Sequence, residues 1–163
     1  MLAPSDTSPI SNLASIGHLN LLQSQFGAVW ISTAVREELT AHPDQAARQA
    51  IEQALQEQWL RVGQAPDSPM LRVLLAQLHR GEAESIALAA GLHADFVLID
   101  EQEGRRIAGS SGLAVTGVLG VLLRAKRMGQ VSAVKPLIDM LRDQAGFFVA
   151  PALELLILAS AGE

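Results

Sequence analysis

Along this chain the hydrophobic positions change period repeatedly. Short runs in which nearly every residue is apolar give way to longer stretches in which apolar residues return every three or four positions. The first pattern suits a strand buried on both faces and the second an amphipathic helix. Their alternation predicts an α/β fold with three layers, helices covering both faces of a central, mainly parallel sheet. Leu2 to Ser5 reads as a first strand, and after Pro9 the residues Ile10, Leu13, Ile16, Leu19, Leu21 and Leu22 suit one helix or two short ones. "GAVWIS", Gly27 to Ser32, is a second strand, and Thr33 stands where it can cap a helix carrying Glu37 and Glu38. Between Pro43 and Gln58 the residues Ala47, Ala50, Ile51, Ala54 and Leu55 keep helical spacing. "WLRV" reads as a small edge strand, Leu71 to Leu78 as a helix, and Gly81 begins another. "ADFVLID", Ala94 to Asp100, is the clearest central strand. A helix from Glu101 to Ser110 leads to the strand "GLAVT", and Thr116 and Gly117 open the next helix. "VSAVKPLIDMLRDQ" gives one or two further helices, and "GFFVA" is read as a last strand before a terminal helix. With no repeat and no boundary between dissimilar halves, residues 1–163 read as a single domain.

Composition sharpens this in three ways. Hydrophobic residues make up 49% of the 163 positions, which excludes the signature of a disordered chain. A chain of this length buries about 68–70% of the surface its unfolded form exposes. The absence of cysteine removes disulfides, thiolate zinc sites and cysteine nucleophiles, and makes a reducing cytoplasm the expected setting. No basic start and long apolar run open the chain, so no signal peptide is expected. The apolar run Phe147 to Ala161 is broken by Pro151 and Glu154 and falls short of the ~18 residues a bilayer demands, so it reads as a docking element rather than a membrane span. The formal net charge of -5 argues against coating nucleic acid by bulk attraction. It leaves room for an enzyme that gathers its acids around a cation and holds phosphates with a separate basic rim, for which the candidates are Arg105, Arg106, Arg124, Lys126, Arg127 and Lys135.

Which acids are placed for that is a question of strand ends. Asp6 and Asp100 each follow a predicted strand, and in open parallel sheets ligands bind beyond the carboxyl ends of the strands, where strand order reverses. Asp6 equally suits the N-cap of the helix that "TSPI" begins. Glu37 and Glu38 are adjacent on a helix, so at most one of them turns toward a shared site; each also suits a solvated face. In "RGEAESIALA" the acids Glu82 and Glu84 stand before a small-residue helix, two positions apart and pointing away from each other. Both also suit the positive end of a helix.

"SDTSP" after the first strand, "EEL" after the second, "GEAESIALA", and "VLID" closing a later strand together resemble the PIN-domain family of metal-dependent ribonucleases. The likeness is to short prokaryotic stand-alone PIN proteins, many of them VapC-type toxins. "GRRIAGSSGLAVTGVLGVLLRAKRMG" and "VKPLIDMLRDQAGFFVAPAL" resemble a subgroup of uncharacterised PIN-like proteins, so the likeness runs over nearly the whole chain. It implies a PIN-like α/β/α fold and an acidic quartet of Asp6, Glu38, Glu82 and Asp100, with Glu84 as the rival to Glu82. The interval from 82 to 100 matches the family's usual spacing and favours Glu82. Two departures stand out: Leu98 occupies a place where many relatives carry a hydroxyl, and Glu101 adds an acid that serves as a further ligand, a supporting group or a helix start. The likeness also implies an RNA substrate cut to a 5′-phosphate and a 3′-hydroxyl, a homodimer, and a cognate antitoxin as a possible partner.

Four ionised carboxylates cannot converge unaided, since two of them 4 Å apart repel by about 4 kcal/mol at an effective dielectric of 20. An all-oxygen ligand set without cysteine or an HExxH pair favours Mg²⁺ or Mn²⁺ over zinc. His18, His42, His79 and His93 are scattered and read as surface or core residues. Asp6 and Asp100 are then expected to hold the ion directly, and Glu38 with Glu82 or Glu84 through water or a second ion. Thr7, Ser8 and Thr116 are candidates to orient a water or a substrate phosphate, with turn and cap roles as the alternative. Arg105 and Arg106 are candidate substrate contacts, one of them also suiting a solvated helix face. Two other readings compete: a PIN-like module that binds RNA or protein without cutting, and a receiver-like signalling domain, against which the single acid at Asp6 and the missing late lysine both count.

Overall fold

The structure, a computed structural model, describes residues 1–163. Five short strands carry the fold: β1 (Leu2–Pro4), β2 (Ala28–Ile31), β3 (Leu60–Val62), β4 (Val97–Leu98) and β5 (Val115–Thr116). Around them lie ten helices: α1 (Thr7–Ser15), α2 (Asn20–Phe26), α3 (Thr33–Thr40), α4 (Gln45–Gln56), α5 (Pro69–Leu75), α6 (Arg80–Gly91), α7 (Gln102–Ser110), α8 (Val118–Arg127), α9 (Lys135–Ala145) and α10 (Pro151–Ala161). All pairings are parallel, with β1, β2 and β3 forming one ladder and β4 and β5 another. A parallel bridge between Ser5 and Leu98 joins the two ladders. The order across the molecule is therefore β3-β2-β1-β4-β5. It differs from the 2-1-3-4-5 order of receiver domains, which removes the receiver-like reading.

The three layers follow from side-chain alternation in the strands. Leu98 is fully buried in a 28-residue core cluster with Leu13, Leu22, Ile51, Leu122 and Ile138, from the helices on one face. Its neighbours Val97 and Ile99 belong to a separate nine-residue cluster with Leu74, Ile86 and Ile107 on the other. Consecutive strand residues point to opposite faces, so a strand covered on both sides must be apolar throughout, as "FVLI" is.

Several elements differ in detail from the expectation. The helix cap after β2 is Ser32, whose Oγ accepts from the Val35 N–H at 3.2 Å, and Thr33 is already helical. Ser32 is the residue with extended backbone, φ -75° and ψ 168°, as an N-cap requires. The fifth helix starts earlier, because Ser68 caps it and Pro69 takes the first helical position. The strand expected over Ala94–Asp100 is regular only at Val97–Leu98, since the Asp95 and Phe96 amides both turn to the Leu2 carbonyl. "GFFVA" is not a strand: Gly146 ends α9 at φ 64° and the Phe147 N–H caps the Leu141 carbonyl at 3.1 Å. That segment is committed to a helix terminus and cannot join the sheet.

The last helix packs on α8 and is tied down at both ends of its polar face. Glu154 pairs with Arg142 at 2.6 Å and Lys135 at 3.5 Å, and Glu163 accepts from the Val134 and Lys135 amides at 2.6 and 3.0 Å. Ile157, Leu158 and Ala161 meet the large core cluster, while Leu155 and Leu156 stay exposed. No helix is long and apolar enough to cross a membrane.

Burial sets what truncations cost. Leu22 is fully buried in the larger cluster, so Leu22→Ala is expected to destabilise by about 2–5 kcal/mol in urea unfolding. Val73 on α5 is 58% exposed, and Val73→Ala is expected to stay within about 0.5 kcal/mol of the wild type in the same measurement.

Candidate functional site

Strand order reverses between β1 and β4: β2 and β3 lie to one side of β1, β4 and β5 to the other. At such a switch point the connections leave in opposite directions and open a crevice beyond the carboxyl ends of the strands. Asp6 follows β1 and Asp100 follows β4, and the Asp6 N–H donates to the Leu98 carbonyl at 2.9 Å. The two acids are thereby set side by side at the mouth of the crevice.

A polar cleft of about 510 Å³ opens there, lined by Asp6, Thr7, Ser8, Ser11, Asn12, Glu38, His79, Arg80, Gly81, Glu82 and Glu101, with no hydrophobic residue. Asp6 is only 6% exposed, and although it holds the N-cap position of α1 its side chain makes no capping hydrogen bond. Glu82, in the first turn of α6, is 5% exposed, and its Oε1 is buried with no hydrogen-bond partner. Glycines make this crowding possible. A Cβ on Gly81 would lie 2.9 Å from Asp6 Oδ1 and 3.1 Å from Glu38 Oε1, so both carboxylates reach toward the space its missing side chain leaves. A Cβ on Gly104 would come within 2.5 Å of Glu82 Oε1.

Thr7 donates its hydroxyl to Glu38, and Ser8 donates to Asp100 Oδ2 at 2.9 Å. Both hydroxyls are thus engaged by the acids themselves. Asn12, one turn after Ser8 on α1, donates to the Ser8 oxygen at 3.0 Å and to the same Asp100 oxygen at 3.3 Å. Asp100 Oδ1 accepts from the Val118 N–H at 2.7 Å, so donors hold both of its oxygens. Asp100 faces a second cavity on the far side of Ser8 and Asn12, together with Arg105 and Thr116. Arg105 donates to the Ile99 carbonyl at 2.8 Å. Arg106 stays on the exposed helix face in an ion pair with Glu103. Glu84 turns from the cleft, accepting from Arg80 Nε at 2.7 Å and from the Ala34 N–H at 3.3 Å at the start of α3. Glu101 holds the N-cap position of α7 at the cleft's edge.

The basic rim expected from the sequence is largely neutralised. Lys126 pairs with Glu163 and Lys135 with Asp139, while the Arg124 guanidinium lies over the Phe26 ring at 5.6 Å. Sequence reasoning also missed two cleft residues. Asn12 carried a signal, a polar amide inside the apolar face of α1 at helical spacing from Ser8. His79 carried one too: it is exposed at the N-cap of α6, three residues before Glu82, a spacing that sets the two side by side at a helix start.

The electrostatics match this crowding. Burial, opposed in part by the nearby Thr7 amide and reinforced by Glu82, Glu38 and Asp100, pushes the Asp6 carboxyl up to about 7. Burial likewise raises Glu82 and, against its hydrogen bonds from Val118, Ser8 and Asn12, Asp100. As the side chains stand, no three His, Asp or Glu residues gather closely enough to ligate one ion. Asp6 and Glu38 approach each other beside Gly81, while Thr7 engages Glu38 and Ser8 with Asn12 engages Asp100. The donor chemistry nevertheless suits a hard divalent cation, being all oxygen and including a buried carboxylate atom that nothing in the chain satisfies.

Fold and cleft together define a class, a parallel α/β/α domain with an acidic pocket at the switch point of its sheet. A family model described as a PIN domain matches residues 3–163, and the chain belongs to the PIN domain family. PIN domains are generally nucleases and usually use divalent metal ions. No curated protein and no solved structure matches the chain significantly.

The raised Asp6 pKa has a definite sign in stability. Between its ordinary value of 3.8 and about 7 the folded chain holds a proton at Asp6 that the unfolded chain has lost. Stability from this group therefore falls as pH rises through that window and levels off above it. Asp6→Asn, uncharged throughout, is expected to gain on the wild type between about pH 5 and pH 8, by an amount on the order of 4 kcal/mol or less. Urea unfolding of both proteins in chelator at the two pH values reads it, and a pH-independent difference would refute it.

Proposed function

We propose that this PIN domain is a metal-dependent endoribonuclease that hydrolyses phosphodiester bonds of single-stranded or loop RNA at the Asp6–Glu82 cleft. The observation that carries the reading is the pair of buried carboxylates Asp6 and Glu82, one raised to about 7 by burial and neighbouring acids and the other with an oxygen that has no partner. Such a site is costly to keep empty of positive charge, and in a nuclease-type fold it lies where a cation belongs. Asp6, Glu82 and Glu38 would hold Mg²⁺ or Mn²⁺, and Asp6 would give up its proton when they do. The bound ion supplies a water of lowered pKa and a counter-charge for the phosphate during in-line displacement. Asp100, fixed by Ser8, Asn12 and the Val118 N–H, keeps α1 and α8 at a set distance and adds negative potential from behind. Arg80, bridging Glu84 and Glu37 at the lip, is placed to meet an entering phosphate.

A second reading, a PIN-like module that binds RNA or protein without cutting, is favoured by the one fact that no three acids are gathered for an ion as they stand. A homodimer and a toxin's role with a cognate antitoxin rest on likeness to short stand-alone PIN proteins, a cytoplasmic location rests on the absence of cysteine, and all are part of the same proposal.

Purified protein incubated with mixed single-stranded RNA and Mn²⁺ is expected to release 5′-phosphate ends, and to stop on addition of chelator. Asp6→Asn and Glu82→Gln should each lower the rate by about a hundredfold or more. Arg106→Ala, on the solvated face, should leave it within about twofold. Cleavage that persists unchanged in both acid variants would end the nuclease reading.

A further inference from the structure

Beyond Asp100 lies a second cavity, of about 510 Å³, which the chemistry at Asp6 does not use. Its walls come from distant parts of the chain: Phe147 and Phe148 before α10 and Leu153 within it, Thr116 at the end of β5, Leu119 in the first turn of α8, and Arg105 from α7. Three properties set it apart from an ordinary surface dent. Phe148 is 81% exposed, the most exposed large hydrophobic residue in the molecule, so most of its ring lies in solvent at this site. Arg105, which donates to the Ile99 carbonyl at 2.8 Å and lies near Asp100, brings a guanidinium to the cavity wall. The cavity lining includes Asp100, one of whose oxygens is held by Ser8 and Asn12 of the acidic cleft, so hydrogen bonds link the linings of the two hollows.

We propose that this cavity is a nucleobase subsite, in which a base of the single-stranded RNA next to the scissile phosphate stacks on Phe148 while Arg105 meets its flanking phosphate. The inference rests on the ribonuclease reading for the position of that phosphate. A flat unstacked base suits an exposed aromatic ring, since every base has a π-face, and the contact is tolerant of sequence. Thr116 Oγ offers a donor or acceptor at the cavity wall to the base edge. The aliphatic surface of α10 is a separate feature. Leu153 and Ile157, one turn apart, line the cavity, whereas Leu155 lies on the opposite side of the helix and is 70% exposed.

Anisotropy of a short 5′-labelled single-stranded RNA, titrated with protein in chelator, reads the subsite without any cleavage. Phe148→Ala is expected to weaken binding by about 5- to 150-fold, the range of one base–aromatic stack. Phe148→Trp should restore it, and Leu155→Ala should leave it unchanged. Removing the bases from the oligonucleotide should weaken binding to the wild type but make no further difference to Phe148→Ala. Equal affinity of wild type and Phe148→Ala, equal affinity for normal and base-free strands, or no binding at all would each overturn the subsite. So would a shift from dimer to monomer in light scattering on Phe148→Ala with RNA affinity intact, which would assign the ring to a second copy of the chain. The two proposals fail separately. Mn²⁺-dependent cleavage with Phe148 irrelevant to binding removes only the subsite, and Phe148-dependent binding without cleavage removes only the nuclease.

Discussion

The contact on which the rest depends is the junction of the two ladders, where the Asp6 N–H donates to the Leu98 carbonyl and Ser5 bridges Leu98 in parallel. It is a narrow seam between a three-stranded and a two-stranded ladder, and everything chemical in the molecule lies at its carboxyl end. A parallel sheet leaves its connections no choice there. Chains leaving β1 and β4 must part to opposite faces, and the residues after each strand face one another across the gap. The placement of Asp6 beside Asp100 is thus a consequence of topology before it is a matter of side-chain chemistry.

Crowding acids at a seam demands devices to keep them there, and the chain uses two. One is the removal of side chains: Gly81, Gly104 and Gly117 each stand where a Cβ would meet a carboxylate oxygen of Glu38, Glu82, Asp6 or Asp100. The other is the insertion of short donors between the acids. Thr7 engages Glu38, and Ser8 with Asn12 engages Asp100, so the hydroxyls of "DTSP" spread negative charge that would otherwise collapse the site. Glu84 shows the contrast. Two positions after Glu82 on the same helix, it points to the start of α3, where backbone amides and Arg80 satisfy it.

The acids were legible in the sequence because strand ends are. An apolar run that stops at a charge, as "VLID" does, marks both the strand and the crevice beyond it. Their division of labour was not legible, because it depends on which hydroxyl reaches which oxygen across a gap that sequence spacing does not measure. Asn12 is the clearest loss: its partner Asp100 is 88 residues away. "GFFVA" misled for the opposite reason. Aromatic and β-branched residues signal burial against a sheet, but Gly146 in the left-handed region commits the segment to ending α9, and its rings wall a cavity instead. The edges of strands and helices slipped where a neighbouring residue made the better cap, as Ser32 does in place of Thr33.

For the proposed ribonuclease, how a chain of net charge -5 would hold a polyanion is a question about what is left after most of its cations are engaged within the chain. Arg36, Arg80, Arg106, Lys126, Lys135 and Arg142 are all paired, and Arg61 and Arg124 lie over Trp30 and Phe26. Of the twelve cations only Arg48, Arg105 and Arg127 are in neither an ion pair nor a ring contact, so counterion release from a basic surface, the usual source of affinity for nucleic acid, has few contributors here. Two contributions remain that need no excess of positive charge. One is a cation in the Asp6–Glu82 cleft, which reverses the local field where the phosphate must sit. The other is the stacking of a base on an exposed ring, which draws on apolar area and is indifferent to net charge. In the two proposals the cleft and the Phe148 cavity would supply those two, and Asp100, whose oxygens the chain has already satisfied, is bonded to the lining of the first and lines the second.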